Sequence, residues 1–222
     1  MRNILSKVRL FGKVMPLFIL LYFLHSCAMT KETKAIYVLI DSAESEEQQS
    51  NDLIMAMRHL LNILKPGDSI ALARIDNKNF SEKDEILRLR FDFRTAMANA
   101  QKRAFLESVK QFCQNIEPGK GNDITGGVLH AIEYLNETQA SQAYILVFSD
   151  LQLNAKKNYF KNFTINFNGI HVIAMKIKKI LEDEIESKKY LERTNEWANQ
   201  VSVGDGKWSL LYDVKKLNEV IK

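Results

Sequence analysis

Three aspartates stand where a sheet of buried strands would gather polar side chains. Asp41 ends the apolar run 35–41, Asp150 follows the apolar run 143–149, and Asp123 lies in the polar loop 121–127, which opens a helix. Strands that read as unbroken apolar runs belong to sheets covered on both faces, and ligands bind beyond the carboxyl ends of such strands. Carboxylate, hydroxyl and amide oxygens at one sheet edge are ligands for hard cations such as Mg²⁺, Mn²⁺ or Ca²⁺.

The elements that would position these residues alternate along the chain. Strands are predicted at 35–41, 69–75, 143–149, 169–177 and 208–213, and a half-exposed edge strand at 86–93, where apolar and polar residues alternate. Helical spacing of apolar residues covers 53–64, 106–116 and 124–135, a polar helix covers 180–200, and a short helix ends the chain. This alternation predicts an α/β domain with a mostly parallel central sheet.

Three segments in this order resemble the von Willebrand factor A domain. Residues 41–45 (Asp-Ser-Ala-Glu-Ser) resemble its D-x-S-x-S loop, residues 121–131 its T-D-[IL] helix opening, and residues 146–150 its strand with a terminal aspartate. The resemblance covers residues 34–215. It implies a Rossmann-like vWA fold whose mostly parallel central sheet is flanked by helices and has one antiparallel edge strand.

The resemblance also implies a metal-ion-dependent adhesion site that holds Mg²⁺ or Mn²⁺. The implied ligands are Asp41, Ser45, Asn122, Asp123 and Asp150. Two positions depart from the family, because Ala43 replaces the first serine and Asn122 replaces a threonine. Mg²⁺ demands near-octahedral geometry, so a missing oxygen weakens binding unless water fills its place. Two interpretations stay open: a degenerate metal site, or aspartates that serve only as hydrogen-bond acceptors and helix caps.

The N-terminal segment resembles a bacterial lipoprotein signal peptide. Basic residues in 1–13 precede an apolar run at 14–24, and 11 helical residues rise about 16 Å, too little to span a bilayer. The tetrapeptide Leu24-His25-Ser26-Cys27 resembles a lipobox, which predicts cleavage before a lipidated Cys27. The alternatives are an A-x-A-type cleavage or an uncleaved short anchor. The predicted organisation is a signal peptide at 1–26, a lipidated cysteine and tether at 27–34, and a vWA-like domain at 35–222.

Charge and composition exclude several classes of protein. The net charge is +4, but four basic residues and no acidic ones lie in residues 1–27, which leaves 27 basic and 27 acidic residues in 28–222. A nucleic-acid-binding domain needs a net basic footprint, so no nucleic-acid partner is expected. Two cysteines and four histidines without ligand spacing provide neither a disulfide framework nor a zinc site. Cys113 is interpreted as a small buried hydrophobe.

Three functions are compatible with these features. The first is a lipid-anchored binding module of the bacterial envelope, facing the periplasm or exterior and favoured at the outer membrane, which engages an unidentified envelope or extracellular protein through the strand-end surface. The second is a Mg²⁺-dependent phosphatase-like hydrolase with Asp41 as nucleophile. Related enzymes carry D-x-D after the first strand, whereas position 43 is alanine, so no enzyme is expected. The third is a structural envelope subunit with a decayed metal site.

Overall fold

The computed structural model describes residues 32–41, 47–75, 81, 84–116, 123–151, 164–175 and 184–221, with the side chains of 47–49 and 184–187 excepted. Within it, Thr33–Lys222 forms one compact unit. The predictions for Cys27, Ala43, Ser45 and Asn122 lie outside the described residues. In the part of the chain that is described, no helix is both long and apolar enough to cross a membrane.

A single six-stranded sheet forms the centre of the domain. Its strands are β1 (Lys34–Asp41), β2 (Ser69–Ile75), β3 (Glu85–Arg90), β4 (Gln142–Phe148), β5 (His171–Met175) and β6 (Lys207–Leu211). They are arranged in the order β3-β2-β1-β4-β5-β6. Every neighbouring pair is parallel except β2 and β3. β3 is thus the edge strand that the alternating residues predicted, and its antiparallel direction is the one that the family resemblance implied.

Helices cover both faces of this sheet. They are α1 (Glu47–Ile63), α2 (Thr95–Gln114), α3 (Ile124–Thr138), α4 (Glu184–Val203) and the short α5 (Leu217–Val220), which follows a 3₁₀ turn at Val214–Lys216. Side chains of β1 alternate between two buried clusters: Tyr37 and Leu39 pack with residues of α3 and α4, whereas Val38 and Ile40 pack with residues of α1 and α2. Burial on both faces explains why β1 reads as an unbroken apolar run.

The described elements differ from the predicted ones mainly at their ends. The predicted edge strand extends to residue 93, but β3 ends at Arg90 because Phe91 instead exchanges backbone hydrogen bonds with Gly67 and Asp68 in the turn before β2. Cys113 is half-buried rather than buried, and its thiol lies 3.9 Å from the carbonyl oxygen of Ser50. Burial raises the pKa of this thiol.

The parallel strands give the sheet two chemically different ends. The carboxyl ends of β1 and β4 lead to Asp41 and to Ser149 and Asp150, whereas the amino end carries Lys34, where the chain enters β1. β1 is a central strand, with β2 on one side and β4 on the other. The candidate site therefore lies at the opposite end of β1 from the chain entry.

Candidate binding site at the carboxyl ends of the strands

The last residue of β1 is held by the residue that follows β4. Ile40 pairs with Phe148, so Asp41 and Ser149 are neighbours across the two strands. The Ser149 hydroxyl donates to Oδ2 of Asp41 at 2.9 Å, and the backbone N–H of Leu151 donates to the Ser149 hydroxyl oxygen at 3.0 Å. Ser149 is fully buried and Asp41 is 6% exposed. These hydrogen bonds tie the last residue of β1 to the first residues after β4.

Asp150 contacts a cation from the last long helix. Arg193 of α4 donates from Nε to the backbone oxygen of Asp150 at 2.9 Å, and its Nη2 lies 3.7 Å from Oδ2 of the same residue. The Asp150 side chain is 26% exposed, and that of Arg193 is 18% exposed. Partial burial makes this ion pair less screened than one at an open surface. Arg193 therefore offsets part of the negative charge at the strand ends.

Asp123 has a clear local role at the start of α3. Its side chain accepts a hydrogen bond from the backbone N–H of Gly126 at 3.0 Å, which makes it the N-cap of the helix. An N-cap side chain satisfies one of the backbone donors that the first turn leaves without an intrahelical partner. This contact agrees with the capping interpretation for Asp123. An ionised carboxylate accepts several partners, so this hydrogen bond is compatible with a further ligand on Asp123.

The described side chains do not by themselves complete a metal site. Within the ranges that the structure covers, no group of three or more His, Cys, Asp or Glu side chains is placed to hold a metal ion. The Arg193 guanidinium next to Asp150 opposes a second cation there, while the oxygens of Asp41 and Asp150 are suitable hard ligands. Because Ser45 and Asn122 lie outside the described residues, the metal ligand set remains a prediction.

Two residues of this site had no predicted role. Ser149 lies within the segment 146–150 that carries the family resemblance, and a small polar residue after a buried strand is the only signal for it. Arg193 lies in a polar helix where many charged residues are exposed, and no local pattern distinguishes it from them. Its contact with Asp150 depends on how α4 packs on the sheet.

These features define a class of fold. A mostly parallel six-stranded sheet with helices on both faces, an antiparallel edge strand and polar loops at the carboxyl ends is a Rossmann-like, vWA-like α/β domain. No protein-family model matches the sequence, and no curated protein matches it in sequence.

Solved structures share this fold. A von Willebrand factor type A protein from Catenulispora acidiphila superposes with a TM-score of 0.50 at 13% identity, covering 86% of this chain and 41% of that one. The D319A mutant of the PilB minor pilin from Streptococcus sanguinis superposes with a TM-score of 0.51 at 9% identity, covering 86% of this chain and 60% of that one. The chain thus spans less than two thirds of either protein. At these identities the comparison establishes the fold.

Proposed function

We propose that this protein is a lipid-anchored binding module of the bacterial envelope, which engages a protein partner through the strand-end site. The observation that supports it best is the hydrogen bond between Ser149 and Asp41, because it joins the carboxyl ends of two neighbouring strands at the candidate site. A partly exposed Asp150 beside this bond offers a carboxylate to a partner. The fold is shared with a vWA protein and a minor pilin, which is compatible with a role in protein assembly outside the cell.

The proposal includes Mg²⁺ or Mn²⁺ at the same site. Asp41, Ser45, Asn122, Asp123 and Asp150 would hold the ion, which would offer a coordination position to a carboxylate of the partner. Calorimetric titration with each metal tests this, and we expect heat that disappears in Asp41→Ala. If no heat appears at millimolar metal, the aspartates act as acceptors and caps, and binding is independent of metal.

Isolation of complexes from detergent-solubilised envelope tests the binding function. We compare the wild type with the double variant Asp41→Ala/Asp150→Ala, each with and without EDTA. A matched control, Glu133→Ala/Glu196→Ala, removes two exposed carboxylates from α3 and α4. We expect a discrete partner to be lost in the first double variant and retained in the control. Equal recovery in all three proteins would leave a structural subunit as the better description.

Lipidation is tested separately from partner binding. Labelling of cells with a palmitate analogue should mark the wild type and not Cys27→Ala. Stable anchoring requires more than one acyl chain, which a lipidated N-terminal cysteine provides. Labelling that is unchanged by Cys27→Ala would mean that the anchor prediction is wrong, whatever the outcome at the strand-end site.

A further inference from the structure

Basic residues cluster at the amino end of the sheet beside β2 and β3, although residues 28–222 as a whole are neutral. Segments 58–68 and 90–103 contain six lysines and arginines against two aspartates, a net charge of +4. Both aspartates have partners: Asp68 is 2% exposed and accepts the backbone N–H groups of Lys34 and Lys65, and Asp92 forms an ion pair with Arg94 at 2.8 Å. The positive charge of these segments is therefore incompletely balanced where it faces solvent.

A groove between α1 and α2 concentrates part of this charge. It has a volume of about 410 Å³ and is lined by three basic residues, Arg58, Lys102 and Arg103, without an acidic one. Asn62 and Asn99 add amide donors to the lining. Arg58 and Arg103 are exposed and form no ion pair among the described residues. Such a lining fits an anion that accepts several hydrogen bonds, for which phosphate is the usual case.

Two large apolar side chains are exposed just before and within the first turn of α2. Phe93 is 65% exposed and Met97 is 45% exposed. The guanidinium of Arg90 lies 5.7 Å from the centre of the Phe93 ring, and the ring stands directly over Gly67. A Cβ at Gly67 would come within 2.7 Å of that ring, so the glycine is needed for this position. Apolar side chains among basic ones are typical of surfaces at the boundary between lipid headgroups and acyl chains.

The chain enters the domain at this same end. The backbone N–H of Lys34, the first residue of β1, donates to Oδ1 of Asp68 at 2.8 Å, and the side chain of Lys102 donates to the carbonyl of Leu64 in the adjoining turn. Cys27 precedes Lys34 by seven residues. These residues reach at most about 25 Å when extended. A lipid on Cys27 would thus hold the amino end of the sheet close to a membrane.

We propose that the basic face, formed by Arg58, Arg90, Phe93, Met97, Lys102 and Arg103, lies against the phospholipid bilayer. Anionic headgroup phosphates occupy the groove, and Phe93 and Met97 enter the headgroup region. The inference rests on the proposed anchoring through Cys27. Each basic side chain near an anionic leaflet is attracted to it, and the attraction decreases with salt. The strand-end site then points away from the membrane, toward a partner.

Depth-dependent quenching in reconstituted vesicles tests this orientation. The full-length protein, with Cys113→Ala to remove the second thiol, receives a fluorophore at Met97→Cys or, as the matched control, at Gln114→Cys. Gln114 is exposed at the far end of the same helix, 17 residues and about 25 Å away. The vesicles contain brominated phosphatidylcholine alone or in an equimolar mixture with phosphatidylglycerol. We expect strong quenching at position 97 in the anionic vesicles and none at position 114.

Charge reversal identifies the groove as the cause. Arg58→Glu/Arg103→Glu should abolish the quenching at position 97, whereas Lys188→Glu/Lys215→Glu, the same charge change at exposed positions elsewhere, should preserve it. Circular dichroism and a thermal scan confirm that each variant is folded. No quenching at position 97, equal quenching at both labels, or quenching unchanged by Arg58→Glu/Arg103→Glu would overturn the proposal.

Flotation of the same samples separates this inference from the proposed function. Flotation with both vesicle types supports the anchor, whereas flotation with anionic vesicles alone supports the basic face and contradicts the anchor. Protein that floats with neither type contradicts both. Partner capture that depends on Asp41 and Asp150 is measured independently. The proposed strand-end site can therefore be contradicted while the basic face is supported, and the basic face can be contradicted while the strand-end site is supported.

Discussion

The Ser149 hydroxyl bonds to the Asp41 carboxylate at 2.9 Å, although 108 positions separate the two residues in the sequence. The bond joins the carboxyl ends of β1 and β4, which are neighbours at the centre of the sheet. Both side chains are buried, and the bond holds these two strand ends together without a ligand. Groups that are already held in place lose less conformational freedom when a partner binds.

Ser149→Ala should lower the free energy of unfolding by about 1–3 kcal/mol, because it removes one hydrogen-bond donor to a buried carboxylate and the acceptor of the Leu151 N–H. Urea unfolding followed by circular dichroism measures the change. Ser202→Ala, at an exposed position of α4, should change the stability by less than about 0.5 kcal/mol. Equal urea midpoints for the two variants would show that the hydrogen bond between Ser149 and Asp41 contributes nothing to the free energy of unfolding.

Stability should decrease in alkaline solution because of three buried tyrosines. Burial raises the pKa of Tyr134 to about 12, and it also raises the pKa values of Tyr37 and Tyr190. The unfolded chain has phenol pKa values of about 10, so it releases protons first as the pH rises. Below about pH 10 these phenols therefore contribute fully to the free energy of unfolding. That contribution is lost as the pH rises through the pKa values that the phenols have in the folded protein.

Phenolate absorbance and unfolding, measured together against pH, test this prediction. Tyr37, Tyr134 and Tyr190 should release their protons well above pH 10, together with unfolding. Tyr134→Phe should flatten the decrease in stability between about pH 10 and 12, because one of the shifted groups is removed. Ionisation of these three tyrosines near pH 10 in a protein with an unchanged circular dichroism spectrum would contradict the prediction.

Gly204→Ala should be strongly destabilising, because a Cβ there would lie 1.9 Å from the backbone oxygen of Ile165. The turn after α4 packs directly on the segment before β5, and that backbone cannot move without loss of the hydrogen bond from Phe167 N–H to Gly204 O. Gly169→Ala is the matched comparison, since its Cβ meets no atom within 4 Å and only its positive φ of 77° opposes the substitution. Thermal unfolding should show that Gly204→Ala lowers the free energy of unfolding by much more than the roughly 1 kcal/mol expected for Gly169→Ala.

Asp92 should titrate far below an ordinary aspartate. Hydrogen bonds from the Arg94 side chain and backbone hold the pKa of Asp92 at about 2. Because this value lies below that of the unfolded chain, about 3.9, any stabilisation is present above pH 4 and is lost as the pH falls through 2. Carbon-13 NMR of the carboxyl group measures the pKa. Arg94→Ala should return it most of the way to the ordinary value, and an unchanged pKa would contradict the assignment.

The regular elements were predictable because each leaves a local signal in the sequence. Leu53, Met57 and Leu60 repeat at helical spacing and are all buried in α1, and β1 and β4 read as the apolar runs that burial on two faces requires. The positions of Asp41 and Asp150 followed from the rule that parallel strands end at one edge. Tyr190 and Trp197, the large aromatic residues of α4, are buried in the same cluster as Tyr37 and Leu39 of β1.

The partners of the site residues were not predictable, because they depend on tertiary contacts. Nothing near Arg193 in the sequence indicates that its guanidinium approaches Asp150, 43 residues earlier in the chain. The distribution of charge on the surface was not predictable for the same reason. Residues 28–222 contain equal numbers of acidic and basic residues, but the fold brings Arg58, Lys102 and Arg103 together at one groove.

The central position of β1 has a mechanical consequence. Chain tension applied before Lys34 and resisted at Asp41 runs along the whole length of one strand, whose eight residues span roughly 25 Å. Seven register pairs with β2 on one side and seven with β4 on the other oppose that pull together. The load is therefore a shear on two ladders at once, and the strand cannot be peeled away one hydrogen bond at a time. A domain that is anchored before Lys34 and pulled at the carboxyl ends of its strands would resist unfolding through both ladders of β1.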